Sequence, residues 1–124
     1  MTREKSLEKL QIFINGKLDG TLTDASQTLS LDASPSLQIG GNSKDERYYD
    51  GIIDEVRVWN VVRTAEELSA DKNRRLAGDE AGLVGYWRFD DGLGLLATDS
   101  SPRQNHGVLQ GPPEWIIADT PICP

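Results

Sequence analysis

The sequence predicts an all-β protein, a sandwich of two antiparallel sheets with one short helix near residues 64–75. Three observations carry that expectation. Apolar residues fall in short runs that alternate with polar ones, the period of strands with one wet face. Glycine, proline and asparagine punctuate these runs at the spacing of a β-sandwich, enough for about nine strands. One stretch, beginning at Thr64, carries a helix-start signal.

In chain order, Leu10–Ile14 alternates, stops at Asn15-Gly16, and resumes over Lys17–Thr23. Asn-Gly between two such runs predicts a hairpin, because both central residues of a type I′ turn need positive φ. Further strands are expected at Thr28–Leu31 and Ser36–Gly41, where Gly40-Gly41 suggests a bulge or a close backbone approach. Ile52–Trp59 reads as one long strand. Its alternation puts Val56 and Val58 on the core face and Glu55 and Arg57 together on the wetter face. Thr64-Ala65-Glu66-Glu67 is a capping box, predicting a helix to about Arg75 with Gly78 as its stop and Arg74-Arg75 at its negative end. Asp79–Gly82 is small and polar, the natural internal boundary. Beyond it, strands are expected at Leu83–Phe89, Leu95–Thr98, Gly107–Leu109 and Trp115–Ile117, with a turn-rich loop over Asp99–Asn105.

A chain of 124 residues fits one domain, 1–124, able to bury roughly 65% of its unfolded surface. Its formal charge of −7 argues against nucleic acid or an anionic membrane as partner, since both require a basic patch. No run approaches the ~20 apolar residues of a membrane span, and the first residues have no apolar stretch of the signal-peptide kind. The single cysteine, Cys123, has no internal partner for a disulfide.

Two segments carry a family resemblance. Ile53-Asp54-Glu55-Val56-Arg57, leading into Thr64–Glu67, is similar to the closing signature of laminin G-like jelly-roll domains of the concanavalin A-like lectin/glucanase superfamily. Tyr86-Trp87-Arg88-Phe89-Asp90, followed by Thr98–Ser101 and Asn105–Gly107, is similar to the opening signature. The hairpin phrase Leu10–Lys17 also resembles one of that family. Here the closing signature comes first. Residues 1–75 thus resemble the C-terminal half of the family domain and residues 82–124 its N-terminal part, as in a repeat junction or a circularly permuted unit. The family's central strands have no counterpart in the sequence. The resemblance implies a non-catalytic binding or adhesion module in an extracellular or cell-surface setting, with a glycan or a protein surface as partner. A structural spacer is the alternative.

The candidate ligand-binding residues are Asn42, Arg47, Tyr48 and Tyr49. Two tyrosines beside a polar loop are suited to stacking on a sugar or on a partner side chain. The alternative is that they pack down on the sandwich edge. Asp90, Asp91, Asp99, Asn105 and Asp54 are candidate calcium ligands, because calcium gathers oxygens from several loops and the family equivalents of these strand ends converge. The competing reading of Asp99 and Asn105 is that they cap turns. Glycoside hydrolysis is disfavoured: Asp54 and Glu55 are adjacent in a strand and point to opposite faces, which does not make a catalytic pair ~5 Å apart. His106 reads as a turn residue. Open sheet edges, or exchange of halves around residues 76–82, predict a homo-oligomer.

Overall fold

The computed structural model describes residues 1–4, 9–23, 37–42, 46–111 and 113–116. The strand expected at Thr28–Leu31 lies outside the described residues, as does Cys123. What is described is all-β with one short helix, and every strand pairing is antiparallel.

Strands β1 (Thr2–Glu4), β2 (Lys9–Ile14) and β3 (Lys17–Thr23) form a three-stranded sheet in that order. β1 contains no apolar alternation, so nothing in the sequence announces it. The β2–β3 turn is as expected, with Asn15 at φ 53° and Gly16 at φ 79°. β4 (Gly41–Asn42) and β5 (Arg47–Tyr48) make a short hairpin. β6 (Val56–Trp59) leads to helix α1 (Ala65–Asp71), and β7 (Leu83–Trp87) returns to pair with β6. β8 (Leu96–Ala97) and β9 (Gly107–Val108) close the order. Trp115 and Ile116 are not in a strand.

The described strands fall into one three-stranded and three two-stranded ladders. Two of the interruptions have a visible cause. Glu55 (φ 53°) and Phe89 (φ 56°) adopt left-handed backbone, so the expected Ile52–Trp59 strand begins only at Val56 and Leu83–Phe89 ends at Trp87. The expected facing is also overturned: Arg57, opposite Tyr86, and Trp59 lie on the face of the buried Tyr86 cluster, while Val56 and Val58 take the other, half-buried face. Glu55 and Arg57 do form an ion pair, at 2.6 Å, but their side chains are only 11% and 12% exposed. The pair lies inside, against Tyr86.

Tyr86 organises the core. It is fully buried, packed with Leu76 and Leu83, and Trp59 covers the cluster. Its hydroxyl donates to Glu55 and accepts from the Leu76 amide at 3.2 Å. The guanidinium carbons of Arg57 and Arg88 lie 5.2 and 5.0 Å from its ring centre. The two motif strands are therefore neighbours in one chain, with Val56 opposite Trp87 and Arg57 opposite Tyr86.

The helix starts as expected. Thr64 accepts from the Glu67 amide at 3.2 Å, and Glu67 accepts from the Thr64 amide at 2.8 Å. It stops four residues earlier than expected, at Asp71, so Arg74 and Arg75 lie beyond its end. Arg74 ion-pairs with Asp71 instead, at 2.7 Å. Arg63 also reaches Asp71, at 2.6 Å, while its guanidinium covers the Trp59 ring. The β2–β3 turn rests on the helix: Lys72 donates to the Asn15 carbonyl at 3.1 Å, and a Cβ on Gly16 would come 3.1 Å from Ser69 Cα.

Segment 76–82, around which exchange of halves is expected, is fastened down. Arg88 donates to the Leu76 and Ala77 carbonyls. Glu80 accepts from the Ala77 and Gly78 amides at 2.8 and 3.0 Å. Gly78 is not the helix stop: it is buried at φ 104°, where a Cβ would come 2.4 Å from the Ser100 carbonyl oxygen.

Candidate functional site

The β4–β5 hairpin positions the four candidate ligand-binding residues, and its register divides them. Asn42 pairs with Arg47 and Gly41 with Tyr48. Cross-strand partners share a face, so Asn42 and Arg47 occupy one side of the hairpin and Tyr48 the other. The Tyr48 ring lies over Gly41, where a Cβ would come 3.1 Å from Cδ1. Tyr49 continues the ladder through its amide, which donates to the Gly40 carbonyl at 2.8 Å. Tyr48 is thus separated from Asn42 and Arg47, while Tyr49, two residues beyond Arg47, falls on the Arg47 side.

Tyr49 instead lines an open cleft of about 460 Å³ with Gly40, Ile52, Ile53 and Asp54. Tyr49 is 61% exposed and Ile52 is 59% exposed. The glycines make room for this arrangement. A Cβ on Gly40 would strike Ile53 Cδ1 at 2.7 Å, and one on Gly51 would meet the Tyr49 ring at 2.6 Å. The cleft offers an aromatic surface, two aliphatic side chains and the half-buried Asp54 carboxylate. Asp54 thus joins the tyrosine side of the molecule and not the other candidate calcium ligands. Ile52 and Ile53 escaped the sequence reading because they were assigned to a regular strand. The Gly40-Gly41 close approach was the signal that pointed here.

Asp90 and Asp91 lie at a second recess, of about 190 Å³, with Arg88, Thr98 and Ser100. Asp90 is paired with Arg75 at 2.7 Å, and Asp91 accepts from the Thr98 amide at 3.1 Å and from the Thr98 hydroxyl. Asp99 is elsewhere and deeply buried, 2% exposed. It accepts from the Tyr86, Ser101 and Asn105 amides, each at 2.8 Å, and from the Ser101 hydroxyl at 2.9 Å. Burial pushes the Asp99 carboxyl upward, but the hydrogen bonds from Ser101, Tyr86 and Asn105 together outweigh it and hold the group below its ordinary value. His106 accepts the Asp99 amide through Nδ1 at 3.1 Å, and the Asn105 carbonyl accepts from the Trp87 indole at the same distance.

The five candidate calcium ligands therefore fall at three places: Asp54 in the Tyr49 cleft, Asp90 with Asp91 at the second recess, and buried Asp99 with exposed Asn105 in the turn after β8. Among the described residues, no three His, Cys, Asp or Glu side chains gather in a way that could hold a metal ion. Asp99 directs its oxygens at N–H and O–H hydrogens, and this arrangement fits a turn anchor better than a cation ligand. The adjacent carboxylates Asp54 and Glu55 also part company, Asp54 to the cleft and Glu55 to Arg57 and Tyr86.

A laminin G family model, described as the concanavalin A-like lectin/glucanases superfamily, covers residues 1–69, a span that includes the three-stranded sheet, the β4–β5 hairpin, the Tyr49 cleft and β6. No curated protein and no solved structure matches the chain.

Proposed function

The chain belongs to the concanavalin A-like lectin/glucanase superfamily, and from that membership we propose that it is a non-catalytic binding module for a glycan, held in the Tyr49–Asp54 cleft. The observation that supports this is the exposed Tyr49 ring beside a carboxylate in a cleft of about 460 Å³. A pyranose has an apolar C–H face that stacks on an aromatic ring and hydroxyls that donate to a carboxylate, and the cleft pairs those two partners. An extracellular or cell-surface setting goes with this reading and rests on family resemblance. The test is binding to a printed glycan array by the wild-type chain and by Tyr49→Ala. The reading expects signals that the substitution abolishes. An array on which the wild type binds nothing would overturn it.

A second reading, an assembly element without a small ligand, has its own observation. Leu10 pairs with Leu22 across β2 and β3, and Ile12 and Ile14 follow Leu10 on the same face by alternation. Ile12, Ile14 and Leu22 are all about half exposed or more. The occupant we assign to this face is a second copy of the chain. The stripe is aliphatic along β2, with Arg3 opposite Leu10 and Lys17 opposite Ile14 on the same face, and one sheet face stacks on another in the manner of a sandwich.

A further inference from the structure

We infer that Gly51 is the positioning residue of the Tyr49 cleft: it seats the phenol ring face-down on the backbone, so that the ring offers its one remaining face to the ligand. The inference rests on the glycan reading above and adds to it how the stacking surface is held. A Cβ built on Gly51 would come 2.6 Å from Tyr49 Cζ, 2.7 Å from Cε1 and 2.7 Å from the hydroxyl oxygen. An approach in the ring plane, between Cε1 and the hydroxyl, would bring that point closer to these two atoms than to Cζ. Distances this nearly equal place it above the plane, over the face of the phenol. The glycine hydrogen that a Cβ would replace therefore points at the negative face of the ring, a close approach of backbone to side chain that glycine alone permits.

The backbone itself does not demand a glycine at 51. Gly40, which also borders the cleft, sits at φ 75°, and a Cβ there would strike Ile53 Cδ1 at 2.7 Å. Gly51 has no positive φ, so a methyl group meets no left-handed penalty, and the three nearest heavy atoms it would meet all belong to Tyr49. The Tyr49 amide is bonded to the Gly40 carbonyl at 2.8 Å, and its side chain is mostly exposed. A methyl at 51 therefore leaves the strand in place and swings the ring, at little cost in burial. The swing takes the stacking face from its place beside Ile52, Ile53 and Asp54. Loss of one stacked ring weakens binding roughly tenfold.

The experiment compares the wild type with Gly51→Ala, Tyr49→Ala and Gly40→Ala by printed glycan array, thermal melting and the NMR shifts of the Gly51 Hα protons. In the wild type one Gly51 Hα should lie upfield of the other, shielded by the ring it faces, and the two should draw together in Tyr49→Ala. Gly51→Ala should bind the array hits roughly tenfold more weakly while melting at the wild-type temperature. Gly40→Ala should lose stability and binding together, since its dihedral and its contact both oppose a methyl group. Wild-type affinity in Gly51→Ala would overturn the inference and leave the glycan reading in place. Gly51 Hα shifts that Tyr49→Ala leaves unmoved would do the same, and so would a Gly51→Ala chain that melts far below the wild type, which would make Gly51 a residue of the fold. A wild type that binds no sugar would overturn the glycan reading and this inference with it.

Discussion

Asp99 shows how a residue that looks like a ligand from sequence is consumed by the fold. Its carboxylate accepts from three backbone amides and one hydroxyl, tying β7 to the turn that follows β8. Asp99→Ala would leave buried donors unsatisfied, and we expect a loss on the order of 3 kcal/mol, measured by urea denaturation. A change below about 0.5 kcal/mol would contradict the arrangement, being the size of an ordinary surface substitution. The pH dependence follows with its sign. The folded-state carboxyl sits below the ordinary value of 3.8, so its contribution is present above that value and lost as pH falls through the folded one. Acid titration should therefore destabilise the wild type below about pH 4, and Asp99→Asn should flatten that slope. For the same reason millimolar calcium and a chelator should give equal melting temperatures, and a rise with calcium would show a site that the hydrogen bonding of Asp99, Asp90 and Asp91 does not suggest. The sequence offered both readings of Asp99 and Asn105 but could not choose, because the choice depends on which amides the loop turns inward. His106, read as a turn residue, does sit in that turn.

At the scale of elements, local chemistry was legible and long-range facing was not. The Asn15-Gly16 turn and the Thr64–Glu67 box act within four residues, and both formed as expected. Thr64→Ala should cost about 1 kcal/mol through loss of the cap. No measurable change in the denaturation midpoint would mean the helix is held by Arg63 and Asp71 alone. The facing of Glu55 and Arg57 failed because alternation fixes which residues share a face and not which face is buried: Arg57 lies opposite the buried Tyr86. Gly78 was noticed as a helix stop, yet its role is a close approach to Ser100 at positive φ. Gly78→Ala should destabilise by roughly 2 kcal/mol or more, since both the dihedral and the contact oppose a methyl group. The Tyr49 cleft was half legible: Tyr49 and Asp54 were each singled out, but under different functions. Only the hairpin register and the early end of the 52–55 stretch bring them to one place.

For the whole molecule, the buried residues concentrate between Leu76 and Ser101, with Thr2 the exception among those described, while β2 and β3 show half-exposed aliphatic side chains. The β6–β7 ladder joins the two motif strands within one chain, and the fastened 76–82 segment leaves the aliphatic stripe as the better route to assembly than exchange of halves. Light scattering at high protein concentration should give a dimer mass, and Ile12→Lys should return it to a monomer. A monomer mass for the wild type would end the assembly reading and leave the cleft as the functional surface. The claim on which the account turns is that the cleft, and not the stripe or the second recess, meets the ligand. The direct measurement is a ¹H–¹⁵N NMR titration with an oligosaccharide drawn from the array hits. The account predicts shifts confined to the amides of Gly40, Tyr49, Ile52, Ile53 and Asp54. Shifts centred on Arg88, Asp90, Asp91 and Thr98, with the cleft amides unmoved, would contradict it.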